Sequence, residues 1–323
     1  MLNRITAAAF FVLALARGGD PQSPPTEGPA ADSLRISVDV DLVVLPVAVR
    51  DRGGRLVTDL RVTDFEVYED GVRQTIRLFR HEDVPVTVGL VIDHSGSMKA
   101  KLADVIDAAR LFAHSSNPED QLFVVNFNEN VTLGLPGEIS FTSRADELER
   151  AIGATPAAGR TALYDAVIQG LERTREGGPE RKVMIVFSDG GDNASAHGLP
   201  EVLKRVSQSN VVVYTVGIFD EEDPDRNPDV LRRLARATGG EAFFPRRFDE
   251  VEEICGRIAR DIRNQYILGY VSTNATARGA SRAVRVVSRA AGKGELSVRT
   301  RSGYSPGGVT GVKETGVKET GDK

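Results

Sequence analysis

An aspartate and two serines, spaced two positions apart, follow a short apolar segment. Asp93, Ser95 and Ser97 come directly after residues 86–92, a β-branched and almost wholly apolar run. One carboxylate and two hydroxyls are hard oxygen donors that suit Mg²⁺, Mn²⁺ or Ca²⁺. The alternative is that the serines cap a helix and that the aspartate accepts backbone N–H bonds, a common role for these residue types.

The elements around this motif would place it at the end of a buried strand. Residues 86–92 predict a strand covered on both faces of a parallel sheet. Residues 98–116 then show apolar side chains at helical spacing, which predicts an amphipathic helix. The motif therefore lies in a strand-to-helix loop at the carboxyl end of a strand, where open α/β sheets bind ligands.

Similar apolar runs alternate with helical patterns over the middle of the chain. Strands are predicted at residues 121–127, 183–187, 211–218 and 241–244, and helices at 145–152, 162–175, 200–207, 227–239 and 251–264. This alternation predicts an α/β fold with a doubly wound, mostly parallel sheet and helices on both faces.

The motif resembles the metal-ion-dependent adhesion site of von Willebrand factor type A (VWA) domains. Two later segments resemble the other metal loops of that family: residues 159–166, which contain Thr161, and residues 182–191, which contain Asp189. The resemblance implies that Ser95, Ser97 and Thr161 bind the ion directly. It also implies that Asp93 and Asp189 bind it directly or through water, and that residues 131–133 form a short antiparallel edge strand.

The resemblance implies binding rather than catalysis. A site with three neutral hydroxyls leaves positive character on the ion, most simply Mg²⁺ with one replaceable water, which favours an Asp or Glu carboxylate from a protein ligand. Ser97, Asn128, Arg160 and Gly191 are expected to form the rim, and His94 is expected at the rim surface. Asp192 and Asn193 are expected either to support Asp189 by hydrogen bonds or to form a simple turn.

Two other functions stay open. One is a Mg²⁺-dependent hydrolase that uses Asp93 as nucleophile or base, although the sequence offers no nearby general acid–base pair. The other is a structural scaffold with a silent metal site. The net charge of −5, with scattered basic residues, gives no reason to expect nucleic-acid binding. The single cysteine, Cys255, is expected to be a buried apolar residue of a helix.

β-rich segments flank the α/β region on both sides. We expect a small β unit formed jointly by residues 34–83 and 264–305, because neither half alone can bury enough apolar surface. Asp70-Gly71 indicates a hairpin between strands at 65–68 and 75–79. Residues 64–71 also resemble a segment that precedes the VWA domain in secreted bacterial proteins of the family.

The two ends of the chain indicate export and a polar tail. Residues 1–16 carry the charge pattern, apolar core and Ala14-Leu15-Ala16 site of a cleavable signal peptide. The expected location is therefore secreted or periplasmic, with no stable membrane insertion after cleavage, although an uncleaved anchor remains the alternative. The predicted organisation is a signal peptide (1–16), a Pro/Gly-rich linker (17–33), the first half of the β unit (34–83), a VWA domain (84–263), the second half of the β unit (264–305) and a disordered tail (306–323).

Overall fold

The computed structural model describes residues 42–219, 226–247, 249–274 and 281–305. The strands in these ranges are β1 (Leu42–Arg50), β2 (Phe65–Glu69), β3 (Val72–Gln74), β4 (Ile76–Arg80), β5 (Val86–Asp93), β6 (Gln121–Phe127), β7 (Val131–Leu133), β8 (Arg181–Ser188), β9 (Val211–Gly217), β10 (Ala242–Phe243), β11 (Tyr266–Val271), β12 (Arg282–Ser288), β13 (Ser297–Arg299) and β14 (Gly303–Tyr304). The α-helices are α1 (Leu102–His114), α2 (Ala145–Gly153), α3 (Leu163–Glu176), α4 (Leu199–Gln208), α5 (Pro228–Thr238) and α6 (Asp249–Arg263).

Some predictions lie outside the described residues. They are the signal peptide, the linker, the first residues of the β unit (34–41) and the tail from residue 306 onward. Across the ranges that the structure describes, no helix combines the length and apolar character that a membrane crossing requires.

A six-stranded sheet forms the centre of the α/β region, in the order β10-β9-β8-β5-β6-β7. Neighbouring strands run parallel except β7, which pairs antiparallel with β6 at the edge, as the resemblance implied. All eight residues of β5 are buried, so both faces of this central strand are covered. The predicted mostly parallel α/β sheet is confirmed.

The helices pack in two groups beside this sheet. α1 contacts α2 and α6, whereas α4 contacts α3 and α5. Helix α5 shows how local sequence sets the helix ends: the Asn227 side chain accepts the N–H of Val230 at 3.4 Å, and Gly239 ends the helix at φ 80°. Cys255 lies buried on α6, where burial and then the charge of Glu252 raise the pKa of its thiol to about 12.

Two four-stranded antiparallel sheets make up the β unit, in the orders β13-β1-β11-β4 and β14-β12-β2-β3. Each sheet contains strands from before and after the α/β region, so the two flanks of the chain share one core. That core consists of aliphatic and aromatic side chains, among them Leu45, Val67, Tyr266 and Leu268, all of them fully buried.

The hairpin prediction was right about the turn and wrong about the second strand. Asp70 (φ 48°) and Gly71 (φ 81°) form the turn, and β3 pairs with β2 directly after it. β4 instead pairs with β11 in the opposite sheet. The chain changes sheets after Gln74, whose buried side-chain amide exchanges hydrogen bonds with Thr273 in place of further pairing with β2.

A buried carboxylate joins the β unit to the last helix of the α/β region. Asp261 on α6 is 1% exposed and pairs with Arg50 of β1 and with Arg299 of β13. Both arginines are largely buried, and Arg299 also lies 3.6 Å from Glu241, so this cluster is shielded from most of the surrounding water and salt.

Replacing Asp261 with alanine will therefore destabilise the protein. Asp261→Ala leaves Arg50 without its carboxylate and Arg299 with only the more distant Glu241 at 3.6 Å, a change expected to lower the free energy of unfolding by about 3 kcal/mol. Asp107 forms an exposed pair with Arg110 at 3.1 Å, so Asp107→Ala serves as the matched control, with an effect within about 1 kcal/mol. Urea unfolding of the three proteins measures both effects, and equal stabilities would contradict this account of the junction.

Candidate metal-binding site

Asp93 is the last residue of β5 and is fully buried. Its Oδ1 accepts the backbone N–H of Ser95 at 2.8 Å, and its Oδ2 accepts the hydroxyl of Ser188 at 2.7 Å. Ser188 ends β8, the strand beside β5, so the carboxylate bridges the carboxyl ends of two neighbouring parallel strands. This position matches the predicted ligand edge of the sheet.

The two serines of the motif and Asp189 are hydrogen-bonded to one another. The hydroxyls of Ser95 and Ser97 lie 3.1 Å apart, and the Ser97 hydroxyl donates to Oδ2 of Asp189 at 2.5 Å. The other carboxylate oxygen of Asp189 accepts the N–H of Gly191 at 2.9 Å. Hydrogen bonds therefore connect four of the five predicted residues, Asp93, Ser95, Ser97 and Asp189, into one group.

Thr161, the fifth predicted residue, lies in the loop before α3 and is held through its backbone. Its N–H donates to Oδ1 of Asn193 at 2.9 Å, and its carbonyl accepts the N–H groups of Asn193 and Ala194, both at 3.0 Å. Thr161 is 7% exposed. This loop is therefore fixed to the loop that carries Asp189.

Backbone contacts join the Thr161 loop to the first motif as well. Gly96 donates to the carbonyl of Gly159 at 3.2 Å, and Ala158 donates to the carbonyl of His94 at 2.8 Å. Gly190 has φ 86°, and a Cβ there would lie 2.3 Å from the carbonyl oxygen of Asn227, so only glycine fits this turn. The three loops that the sequence singled out thus converge on one place.

Two buried carboxylates give this place a negative character. Asp189 is 2% exposed, and among the described residues no cationic side chain forms an ion pair with it or with Asp93. Burial, and then the nearby charge of Asp189, raise the pKa of Asp93 to about 7. A cation bound here would favour the ionised form of Asp93.

The donor chemistry fits a hard divalent cation. The site offers carboxylate oxygens from Asp93 and Asp189 and hydroxyl oxygens from Ser95, Ser97 and Thr161, with no sulfur or imidazole donor among the five. Oxygen sets of this kind suit Mg²⁺, Mn²⁺ or Ca²⁺. The alternative of a purely capping role accounts less well for two carboxylates buried side by side without a cation.

The rim differs from the prediction at two positions. His94 is fully buried rather than at the surface, because its Nε2 lies 3.1 Å from the side-chain oxygen of Asn126, a buried residue of β6. Gly191 is buried as well. Ser97 and Arg160 are exposed and Asn128 is partly exposed, so these three residues border the opening of the site.

Three residues besides the five predicted ligands hold the loops in place: Ser188, Asn193 and Asp192. The sequence did not single out Ser188, and it left the roles of Asp192 and Asn193 open. Ser188 fixes Asp93, and the only signal for it was its position directly before Asp189. Asn193 bonds the Thr161 loop rather than Asp189. Asp192 accepts the N–H of Tyr164 at 3.0 Å and the hydroxyl of Ser195 at 2.6 Å, which anchors the start of α3. Neither expected alternative for Asp192 and Asn193 described this arrangement.

Comparison with known proteins identifies related sequences. The sequence profile of the von Willebrand factor type A domain matches residues 87–257, more than half of the chain. Inter-alpha-trypsin inhibitor heavy chain H2 of Mesocricetus auratus is 26% identical over 216 residues, which cover 63% of this chain and 22% of that protein. The protein sll0103 of Synechocystis is 27% identical over 166 residues, 50% of this chain and 38% of that one. This chain thus aligns with well under half the length of either relative.

Among solved structures, a von Willebrand factor type A protein from Catenulispora acidiphila is similar to this chain, with a TM-score of 0.48 and 16% identity. The match covers 87% of this chain and 77% of that one. Domains of the matched type are known for metal-dependent adhesion and interaction, and they are typically interaction modules rather than enzymes.

The raised pKa of Asp93 predicts a specific pH dependence for the metal-stripped protein. Between the ordinary aspartate value of 3.8 and about 7, the folded state keeps a proton that the unfolded state has released. The free energy of unfolding therefore falls as the pH rises through this window. Asp93→Asn removes the titrating group, so the variant should gain stability relative to the wild type, by at most about 1.4 kcal/mol per pH unit. Urea unfolding in EDTA at about pH 5 and about pH 8 tests this, and parallel pH profiles would contradict it.

Proposed function

Since this chain belongs to the von Willebrand factor type A domain family, we propose that it is a metal-dependent protein-binding module of an exported bacterial protein. Asp93, Ser95, Ser97, Thr161 and Asp189 would hold the ion, most simply Mg²⁺, with Mn²⁺ or Ca²⁺ as substitutes. A carboxylate of a protein ligand would complete the site.

The observation that carries this proposal is the connected oxygen cluster at the meeting point of three loops. Ser95, Ser97 and Asp189 are hydrogen-bonded in a row, and Asp93 lies beside them, buried and without a cationic partner among the described residues. Such a cluster carries an electrostatic cost that a divalent cation removes.

The charge of the donor set favours an acidic ligand. The two carboxylates together balance the formal charge of a divalent cation. The three hydroxyl donors are neutral, so the ion keeps enough positive character to attract a further carboxylate oxygen. Such a ligand would approach from the exposed side of the site. Ser97 and Arg160 are exposed there, and the Arg160 guanidinium would favour an approaching acidic side chain.

The proposal of export rests on residues 1–16, whose pattern is that of a cleavable signal peptide. An extracellular or periplasmic setting also suits a weak all-oxygen site, because such a site needs an abundant cation to be filled.

The contacts of Asp93 disfavour the hydrolase alternative. Both of its carboxylate oxygens already accept hydrogen bonds, one from Ser95 and one from Ser188, and the side chain is fully buried. A nucleophile or base must instead reach a substrate atom directly. The geometry therefore supports a positioning and charge-supplying role for Asp93.

Calorimetric titration of Mg²⁺, Mn²⁺ and Ca²⁺ into the metal-stripped protein tests the proposed site. We expect saturable binding of one ion per chain. Asp93→Ala and Thr161→Ala should each abolish it, because each removes an oxygen donor from a different loop. Thr132→Ala and Asp107→Ala are the matched controls, since both residues are exposed and neither belongs to the cluster. Absence of binding to the wild type would refute the metal-dependent function, while the fold would stand.

Selection from a library of displayed peptides tests the proposed ligand chemistry. Peptides captured by the metal-loaded protein should be enriched in Asp or Glu at one shared position, and replacement of that residue by Asn or Gln should prevent capture. Capture should also stop when EDTA is added, because the carboxylate binds through the ion. Enrichment that persists unchanged in EDTA would count against a bridging cation.

A further inference from the structure

A cavity of about 660 Å³ lies at the end of the α/β sheet opposite the metal loops. It is lined by the residues that begin β8, including Arg181 and Lys182, and by Val212 near the start of β9. The metal-site residues follow the other ends of the same group of parallel strands. The cavity volume lies within the range of about 300 to 1,000 Å³ that is typical of small-molecule sites.

One wall of the cavity is the outer face of a sheet of the β unit. Val44 of β1, Leu78 of β4 and Ile267 of β11 line the cavity, whereas their chain neighbours Leu45, Phe79 and Leu268 pack into the core of the β unit. This alternation follows from the two-residue period of a strand. The cavity therefore has a continuous aliphatic wall built by three adjacent strands.

Three cationic side chains line the same cavity. Arg301 is 3% exposed, Lys182 is buried and Arg181 is partly exposed. Their hydrogen bonds to the described residues go to neutral oxygens. Arg301 donates to the carbonyl of Ser209 at 2.6 Å, and Lys182 donates to the carbonyl of Gly177 at 2.6 Å and to the hydroxyl of Thr87 at 3.4 Å. Arg181 donates to the carbonyls of Ile262 and Gln265, both at 3.2 Å.

None of these three cations forms an ion pair with a residue that the structure describes. The Nε atoms of Arg301 and Arg181 are buried and have no hydrogen-bond partner in the described ranges. Burial lowers the pKa of Lys182 and of Arg301, which reflects the cost of holding their charges away from water. Buried cations without carboxylates are uncommon in proteins and call for an anion.

The acidic residues around the cavity do not supply that anion. Glu82, Glu119 and Glu180 also line it, but all three are exposed, and Glu180 lies 3.6 Å from Arg80. Negative charge thus lies at the solvent side, where Asp83 and Glu82 act on Arg181, and the buried charges of Lys182 and Arg301 are left for a ligand.

We propose that this cavity binds an aliphatic carboxylate, a small molecule with one carboxylate head and a hydrocarbon body. The head would be bound by Lys182 and Arg301, and the body would pack against Val44, Leu78 and Ile267. This site is separate from the proposed metal site, and its ligand needs no divalent cation.

Titration of decanoate into the full chain in EDTA, below the micellar concentration, tests the proposal. We expect one decanoate to bind per chain. Decanol, which lacks the charge, and acetate, which lacks the hydrocarbon body, should each bind about tenfold more weakly or worse. Since EDTA removes divalent cations, this result is independent of whether the metal site exists.

Two pairs of variants locate the binding. Lys182→Met should weaken decanoate binding by about tenfold or more, whereas Lys204→Met, at an exposed lysine of α4, should not. Val44→Trp should block the cavity and abolish binding, whereas Val72→Trp, at an exposed position of β3, should leave it unchanged. Circular dichroism checks that each variant is folded.

Three outcomes would overturn the proposal. The first is no saturable binding of decanoate, which is also expected if a segment of the chain or a second copy fills the cavity. The second is equal binding of decanol and decanoate. The third is undiminished binding to a folded Val44→Trp variant, which would place the ligand elsewhere.

Discussion

The burial of one carboxylate at the end of the central strand constrains the rest of the candidate site. Asp93 cannot be solvated by water, so both of its oxygens must be satisfied by the protein, and they are bonded to Ser95 and to Ser188. The first bond shapes the loop that presents Ser95 and Ser97. The second ties β5 to β8 and so sets where Asp189 begins the next loop. The Asp93 side chain thus positions two strand ends and two loops, and the geometry of the site depends on it.

The sequence predicted the parts of the molecule in which local pattern and final environment agree. Strands buried on both faces, such as β5 and β8, show unbroken apolar runs, and the site residues directly follow those runs. Prediction was wrong where a distant contact decided the outcome. β4 follows the turn and the short strand β3, yet it pairs with β11, nearly two hundred residues later in the chain, and not with β2. His94 is polar and follows a strand, yet it is buried because Asn126 of a neighbouring strand offers a hydrogen bond.

The parallel sheet separates opposite charges at its two ends. Strand β8 begins with Arg181 and Lys182 and ends at Ser188, directly before Asp189. Eight residues of extended strand span roughly 26 Å, a separation at which two opposite unit charges attract by only about 0.6 kcal/mol at an effective dielectric constant of about 20. The buried carboxylates and the buried cations therefore do not neutralise each other, and each end must find its own counter-charge.

The β unit meets the sheet at the cationic end, and this junction restricts the last helix. Asp261 on α6 is held by Arg50 and Arg299, and Arg263 on the same helix pairs with Asp83 and Asp120. A shift of α6 along its axis by one helical turn, about 5.4 Å, would separate Asp261 from both arginines. Because Asp261 and Asp120 are almost fully buried, such a separation would leave charges away from water without partners. The junction thus favours one position of α6, and any movement of that helix would have to be coupled to movement of the β unit.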